Sequence, residues 1–173
     1  MPSSKTRGRS AEKDAIALLK EDHEKVRKLL GELEETTDKA VSKREKLLTA
    51  IEQELTVHTR IEEEIFYPAF REAARKKDDA KLYYEAIEEH HVVDLVLPEI
   101  KGADVNSEQF AAKAKVLKDL VEHHAEEEET EMFPRARKLM DREELLRLGG
   151  QLARAKESMT RGMLDRRAGL AGA

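Results

Sequence analysis

The chain has 173 residues, 40% of them charged and 4% aromatic, with no cysteine, no tryptophan and a net charge of −5. That length suits one domain with a sizeable core, and the missing cysteine excludes disulfides, thiolate metal sites and a thiol nucleophile. The mildly acidic balance argues against a nucleic-acid surface, which needs a clustered basic face, and no run of about 18 apolar residues is present to span a membrane.

Residues 1–9 read as a disordered basic tail. No apolar stretch follows MPSSKTRGRS, so it does not read as a secretory signal, and a cytoplasmic protein is expected. Ser10 is the expected N-cap of the first helix. From there Ile16, Leu19, His23, Val26, Leu30 and Leu33 recur at spacings of 3 and 4, an apolar seam of helical period in which His23 takes a position. The polar stretch Thr36–Ser42 makes a turn. The second helix carries Leu47, Ile51, Leu55, His58, Glu62 and Ile65 on its seam, and Pro68, lacking an amide donor, should kink or end it.

Lys76-Lys77-Asp78-Asp79 marks the next break. A third helix presents Tyr83, Ala86, His90, Val93, Leu97 and Ile100, with Pro98 disturbing its last turn. Residues 102–107 form a loop, where Asn106 with Gln109 resembles a capping box. The fourth helix presents Phe110, Ala114, Leu117, Val121, His124 and Glu128. Asp141 and Glu144 start a fifth, shorter helix, weakened by Gly149-Gly150, and AGLAGA at the end should fray. The expected architecture is all-α: an antiparallel up-down four-helix bundle over residues 10–140, with a short C-terminal helix and frayed tail over residues 141–173.

The chain repeats internally. His23 and His90 are 67 residues apart, and His58 and His124 are 66 apart. HTRIEEEIFYP at 58–68 returns as HAEEEETEMFP at 124–134, with a glutamate four, an aromatic nine and a proline ten residues after each histidine. Two pseudo-repeated hairpins are expected, each giving one histidine from its first helix and a His-x3-Glu pair from its second.

Residues four apart share a helix face, so His58 with Glu62, and His124 with Glu128, can converge inside the bundle, where the seams of His23 and His90 also point. A single seam histidine is commonly just a satisfied core residue. Four of them recurring with two seam glutamates are different, because an unpaired carboxylate in an apolar core is very unfavourable and a cation supplies the missing partner. Mixed imidazole and carboxylate ligation fits a dinuclear iron or manganese centre in a bundle core. With Glu62 and Glu128 bridging, each metal receives two imidazoles and two carboxylate oxygens, leaving open positions of the kind reactive sites keep. Glu63, Glu64, Glu126, Glu127 and Glu129 read as a solvated face. His91 and His123 sit off the seam and read as outer or surface residues, with direct ligation by one of them as the alternative. Asp94, four residues after His90, is a candidate outer partner. Tyr67 and Tyr84 read as core or surface packing residues, with hydrogen bonding near the metals as the alternative.

DHEKVRKLL, HTRIEEEIFYP, EEHHVVDLVLPEI and HHAEEEETEMFP resemble the haemerythrin-like family, specifically its HHE cation-binding domain, over about residues 13–140. The resemblance implies a non-haem di-iron centre, with oxo or hydroxo bridging, whose ligands are His23, His58, Glu62, His90, His124 and Glu128. Iron is favoured over manganese or zinc. Oxygen-carrying members have His-x3-His on the third helix and His-x4-Asp on the fourth. Here neither His90 nor His91 has a histidine four residues on, and the residue five after His124 is Glu129. The pattern is closer to bacterial HHE proteins and to the family's iron-sensing domains. For these the resemblance implies small ligands (dioxygen, peroxide or nitric oxide), stress protection or sensing, and catalase-like peroxide breakdown as an enzymatic alternative. A domain whose metal merely stabilises a partner-binding bundle is the third expectation.

Overall fold

The structure, a computed structural model, describes residues 13–171. These are all-helical: α1 (Ala15–Glu34), α2 (Val41–Ile61), α3 (Tyr67–Ala73), α4 (Lys77–Lys101), α5 (Glu108–Glu127), α6 (Phe133–Leu139) and α7 (Arg142–Ala171). Two π-helical turns, Glu62–Phe66 and Glu128–Met132, join α2 to α3 and α5 to α6 without a break. The result is a helical bundle of five long segments among the described residues, in which α1 packs against α2, α5 and α7, and α4 against α5. None of these helices is long and apolar enough to cross a membrane.

The seams predict burial well. Ile16, Leu19, His23, Val26, Leu30 and Leu33 of α1 are buried, as are Leu47, Ile51, Leu55 and His58 of α2. Ala86, His90, Val93, Leu97 and Ile100 of α4 are buried too, with Phe110, Ala114, Leu117, Val121 and His124 of α5. Burial of this apolar surface supplies most of the drive to fold. The core is not continuous. One apolar cluster contains Leu19, Ile61, Phe66, Tyr67, Phe70 and Phe133 together with Leu145, Leu148 and Leu152 of α7. A second contains Val26, Leu30, Ile51, Leu55, Val93, Phe110, Leu117 and Val121. Between them, in sequence and in space, lies a layer of buried histidine and glutamate.

Helix ends differ from expectation in places. Ser10 lies outside the described residues, as does the tail at residues 1–9. The first helix begins at Ala15, where the Asp14 carboxylate accepts from Ala17 N at 2.8 Å. Ser107, one residue after Asn106, caps α5 by accepting from Phe110 N at 3.0 Å. Asn106 instead turns its own amide to Asp104. Pro68 and Pro134 do not end their helices. Each sits just after a π-helical turn, in the first turn of the next α-helical stretch, where a missing N–H is tolerated. Asp141 caps α7 through Glu144 N at 2.8 Å.

The C-terminal helix is not short. It runs for 30 residues, and residues 168–171 of AGLAGA continue it. Gly149 does not weaken it locally, because it is a packing residue: a Cβ there would lie 2.3 Å from the Lys13 carbonyl oxygen. The bare glycine lets α7 press against the start of α1, and the contact offsets the lower helix propensity of glycine.

Candidate metal centre

All six residues picked out by their seam positions meet in the buried layer. His23, His58, His90, His124, Glu62 and Glu128 are each 6% exposed or less. Their inward atoms crowd together. Nε2 of His23 is 3.1 Å from Glu128 Oε2, and Nε2 of His58 is 3.3 Å from Glu62 Oε2. Nε2 of His90 is 3.3 Å from the same Glu62 oxygen and 3.1 Å from His124 Nε2. His124 Nε2 is 3.6 Å from Glu128 Oε2.

These spacings suit ligands around an ion. Bonds of about 2.1 Å put neighbouring donors roughly 3.0–3.4 Å apart in octahedral or tetrahedral shells. Two groups of donors form, each within 4.8 Å of one another: His23, His58, Glu62 and Glu128, and Glu62, His90 and His124. Glu62 belongs to both. Several of these atoms are also orphaned. His23 Nε2, His58 Nδ1 and Nε2, Glu62 Oε1 and both Glu128 oxygens are buried without a hydrogen-bond partner. They lie close to one another but are not aligned for hydrogen bonding. A fully buried carboxylate left in this way is costly, and a cation among His23 Nε2, His58 Nε2, Glu62 and Glu128 would give these inward atoms a partner.

The outward nitrogens have partners of their own. Nδ1 of His23 meets Glu129 at 2.8 Å, Nδ1 of His90 meets Glu63 at 2.8 Å, and Nδ1 of His124 meets Glu89 at 2.7 Å. Nδ1 of His58 faces Asp22 Oδ2 at 3.7 Å. An outer carboxylate of this sort fixes ring orientation and strengthens the imidazole as a donor. Glu63 and Glu129 therefore do not belong to an idle solvated face: each reaches inward to a histidine. Asp22 and Glu89 were missed by the sequence reading, yet each directly precedes a seam histidine in the chain, and that adjacency was a usable signal.

Tyr67 corrects another expectation. It is fully buried, with its ring stacked on His90 at 5.5 Å. Its hydroxyl donates to Glu62 Oε2 at 3.3 Å and lies 3.2 Å from His90 Nε2. The matching aromatic, Phe133, stacks on His23 at 5.7 Å and brings no hydroxyl. Tyr84, by contrast, is exposed. So are His91 and Asp94, and neither belongs to the cluster. His123 is exposed, with Nε2 3.6 Å from Glu89 and from Glu127.

Charge is balanced tightly. Burial works to raise the Glu62 carboxyl, but the charge of His58 and hydrogen bonds from His124 and His90 hold it well below the ordinary 4.5. Burial pulls His23 and His90 down, yet Glu128 lifts His23 and Glu62 lifts His90 above 6.5. His124 is lifted well above, burial being outweighed by Glu128, Glu62 and Glu89. Burial, and then the Glu128 and Glu62 charges, push the Tyr67 phenol well above its usual value, so it keeps its proton. Beside the donors lies a cavity of about 10 Å³, lined by the four histidines and by Val26, Leu55, Val93 and Val121. It has room for roughly one water-sized sphere.

The family model for the haemerythrin HHE cation-binding domain matches residues 14–136. The chain is similar to a crystal structure of a haemerythrin HHE cation-binding domain-containing protein from Mycobacterium kansasii. That likeness has a TM-score of 0.77 and 27% identity, and covers 89% of this chain and 91% of that one. It is also 28% identical, over 142 residues, to a protein from a Nostoc strain named as a DNA nickase. The match takes in 82% of this chain but spans 39% of that relative's length.

Proposed function

The chain belongs to the haemerythrin HHE cation-binding domain family, and on that premise we propose that it is a non-haem di-iron protein that binds or reacts with dioxygen, peroxide or nitric oxide, in stress response or in oxygen or iron sensing. The observation that carries this reading is the set of buried, unpartnered donor atoms on His23, His58, Glu62 and Glu128. The chain has no cysteine thiolate, and a mixed nitrogen and oxygen donor set suits iron better than copper(I) or a thiolate zinc site. His23 and His58 would hold one metal and His90 and His124 the other, with Glu62 and Glu128 bridging, in a bundle read as two related antiparallel hairpins. When bound, two irons supply ligand binding and one-electron redox chemistry at the positions the protein leaves open.

The chain's own residues do the rest. The outer carboxylates orient the imidazoles. Val26, Leu55, Val93 and Val121 keep the adjoining cavity apolar and small, which suits a diatomic ligand and excludes bulk water. Tyr67 keeps a proton within 3.3 Å of Glu62. That hydroxyl favours a second reading, the turnover of two peroxides to two waters and one dioxygen, because such chemistry needs a local proton donor. The mildly acidic balance, −5, does not favour a nucleic-acid partner for this chain. A cytoplasmic location with no membrane partner completes the proposal.

The test is spectroscopic. Iron-loaded protein should show new charge-transfer bands on adding azide or nitric oxide, and oxygen evolution on adding peroxide if the second reading holds. Spectra indifferent to every one of these ligands would leave a closed site that serves stability or partner binding.

A further inference from the structure

Three of the four imidazoles have an outer carboxylate at 2.7–2.8 Å. His58 is the exception: its Nδ1 has no hydrogen-bond partner, and the carboxylate facing it, Asp22, is held by Lys156. One Asp22 oxygen stands 3.7 Å from His58 Nδ1, while the other pairs with Lys156 of α7. Lys156 also lies 3.9 Å from Glu54 of α2. Asp22 is buried, so without Lys156 it would be a buried charge with no full counterion, free to swing away from His58.

The docking of α7 sets this contact. Gly149 meets the backbone at Lys13–Ala15, and Lys156 meets Asp22. The two helices thus run alongside in the same sense, since seven residues of one and eight of the other both rise about 10–12 Å. The close approach at Gly149 therefore fixes how far Lys156 reaches.

We propose that Lys156 is a positioning residue of the metal centre: by clamping Asp22 it holds the His58 ring in its ligating orientation, making the C-terminal helix a working part of the site. This inference rests on the dinuclear reading above. It assigns a role to a helix that lies outside the residues matched by the family model, 14–136.

The experiment is iron release. Iron-loaded chain, reduced and held under argon, is mixed with excess bipyridine, and the coloured complex is followed with time. Lys156→Met keeps the aliphatic stem and removes the charge. Losing an outer partner weakens metal binding by roughly 10–100-fold, so one of the two irons should leave at least about tenfold faster. Lys156→Arg should restore slow release. Leu152→Ala, which loosens α7 without touching Asp22, should speed release far less than Lys156→Met. Release from Lys156→Met at the wild-type rate would overturn the proposal. So would equal acceleration by Leu152→Ala, which would make helix packing the cause. Wild-type protein that holds fewer than two irons would instead bring down the dinuclear reading, and this inference with it.

Discussion

The two His-x3-Glu segments carry the same residues at the same spacing, but they live in different surroundings. On the His23 and His58 side, each outer carboxylate is clamped by a cation: Glu129 by Arg27 at 2.8 Å, and Asp22 by Lys156. On the His90 and His124 side, Glu63 and Glu89 have no Lys or Arg partner among the described residues. Glu63 is 43% exposed and Glu89 25%. The inner face differs in the opposite sense, since Tyr67 sets a hydroxyl against His90 while Phe133 gives His23 a bare ring. The donors group unevenly: His23, His58, Glu62 and Glu128 on one side, and Glu62, His90 and His124 on the other, where the Tyr67 hydroxyl also lies. A repeat in the sequence thus encodes the donor set twice, and departures within it (Arg27, and Tyr67 against Phe133), together with Lys156 of α7, make the two sides unequal.

The comparison can be broken most severely at the shared ligand. Glu62 lies in both donor groups, so Glu62→Ala should cut bound metal from two per chain to at most one. It should also lower the denaturant stability of loaded protein by roughly 3–5 kcal/mol, the cost of breaking a buried charge network. Retention of both metals with unchanged stability would remove Glu62 from the site.

The next test loosens α7 on the His58 side. Gly149→Ala drives a methyl against the Lys13 carbonyl, and α7 must shift. We expect a loss of about 1–3 kcal/mol, as in other overpacked contacts, with faster iron release confined to one of the two metals. A neutral outcome in urea unfolding would mean that α7 is not seated as described.

Acidity gives a third handle, because metal-free and loaded protein should respond in opposite senses. Without metal, His23, His90 and His124 have folded values raised above 6.5. Their contribution is full below 6.5 and is lost as pH rises through the raised folded values. Glu62 has a folded value well below 4.5, so its contribution is present above 4.5 and is lost as pH falls through that lowered value. The metal-free chain should therefore be most stable between about 4.5 and 6.5. The loaded chain should lose metal and stability on acidification, since protons compete for the imidazoles. Melting curves with and without chelator, followed on acidification from well above pH 6.5 down to it, decide it, and parallel trends would count against metal ligation by these histidines.

Smaller effects sharpen the inner difference. Tyr67→Phe makes the two stacked rings alike. It should cost roughly 0.5–1.5 kcal/mol for the lost hydrogen bond and keep both metals, but slow any peroxide turnover. Smallest of all, Glu127→Ala should change neither metal content nor melting temperature. Metal loss there alone would mean that the helical register around His124 is wrong by one residue.

How much could be read from the chain follows from the physics of each feature. His23, His58, His90 and His124 were legible because helical period puts them in line with Leu19, Leu55, Ala86 and Val121, and a polar residue in an apolar seam demands a reason. Glu63 and Glu129 were not, since a glutamate run looks the same whether it faces water or turns one member inward. Tyr67 was ambiguous because a buried phenol and a buried phenyl pack alike. The cap at Ser107 was missed by one residue, within the reach of local turn chemistry. Lys156 was invisible, because its meeting with Asp22 spans 134 residues and depends on the close approach at Gly149.

The most direct test of the central claim is metal content per chain on gently purified protein, read with its visible absorption spectrum. Two irons per chain with ferric oxo-bridge absorption is the predicted result. About one zinc, or no metal in a stably folded chain, would contradict it.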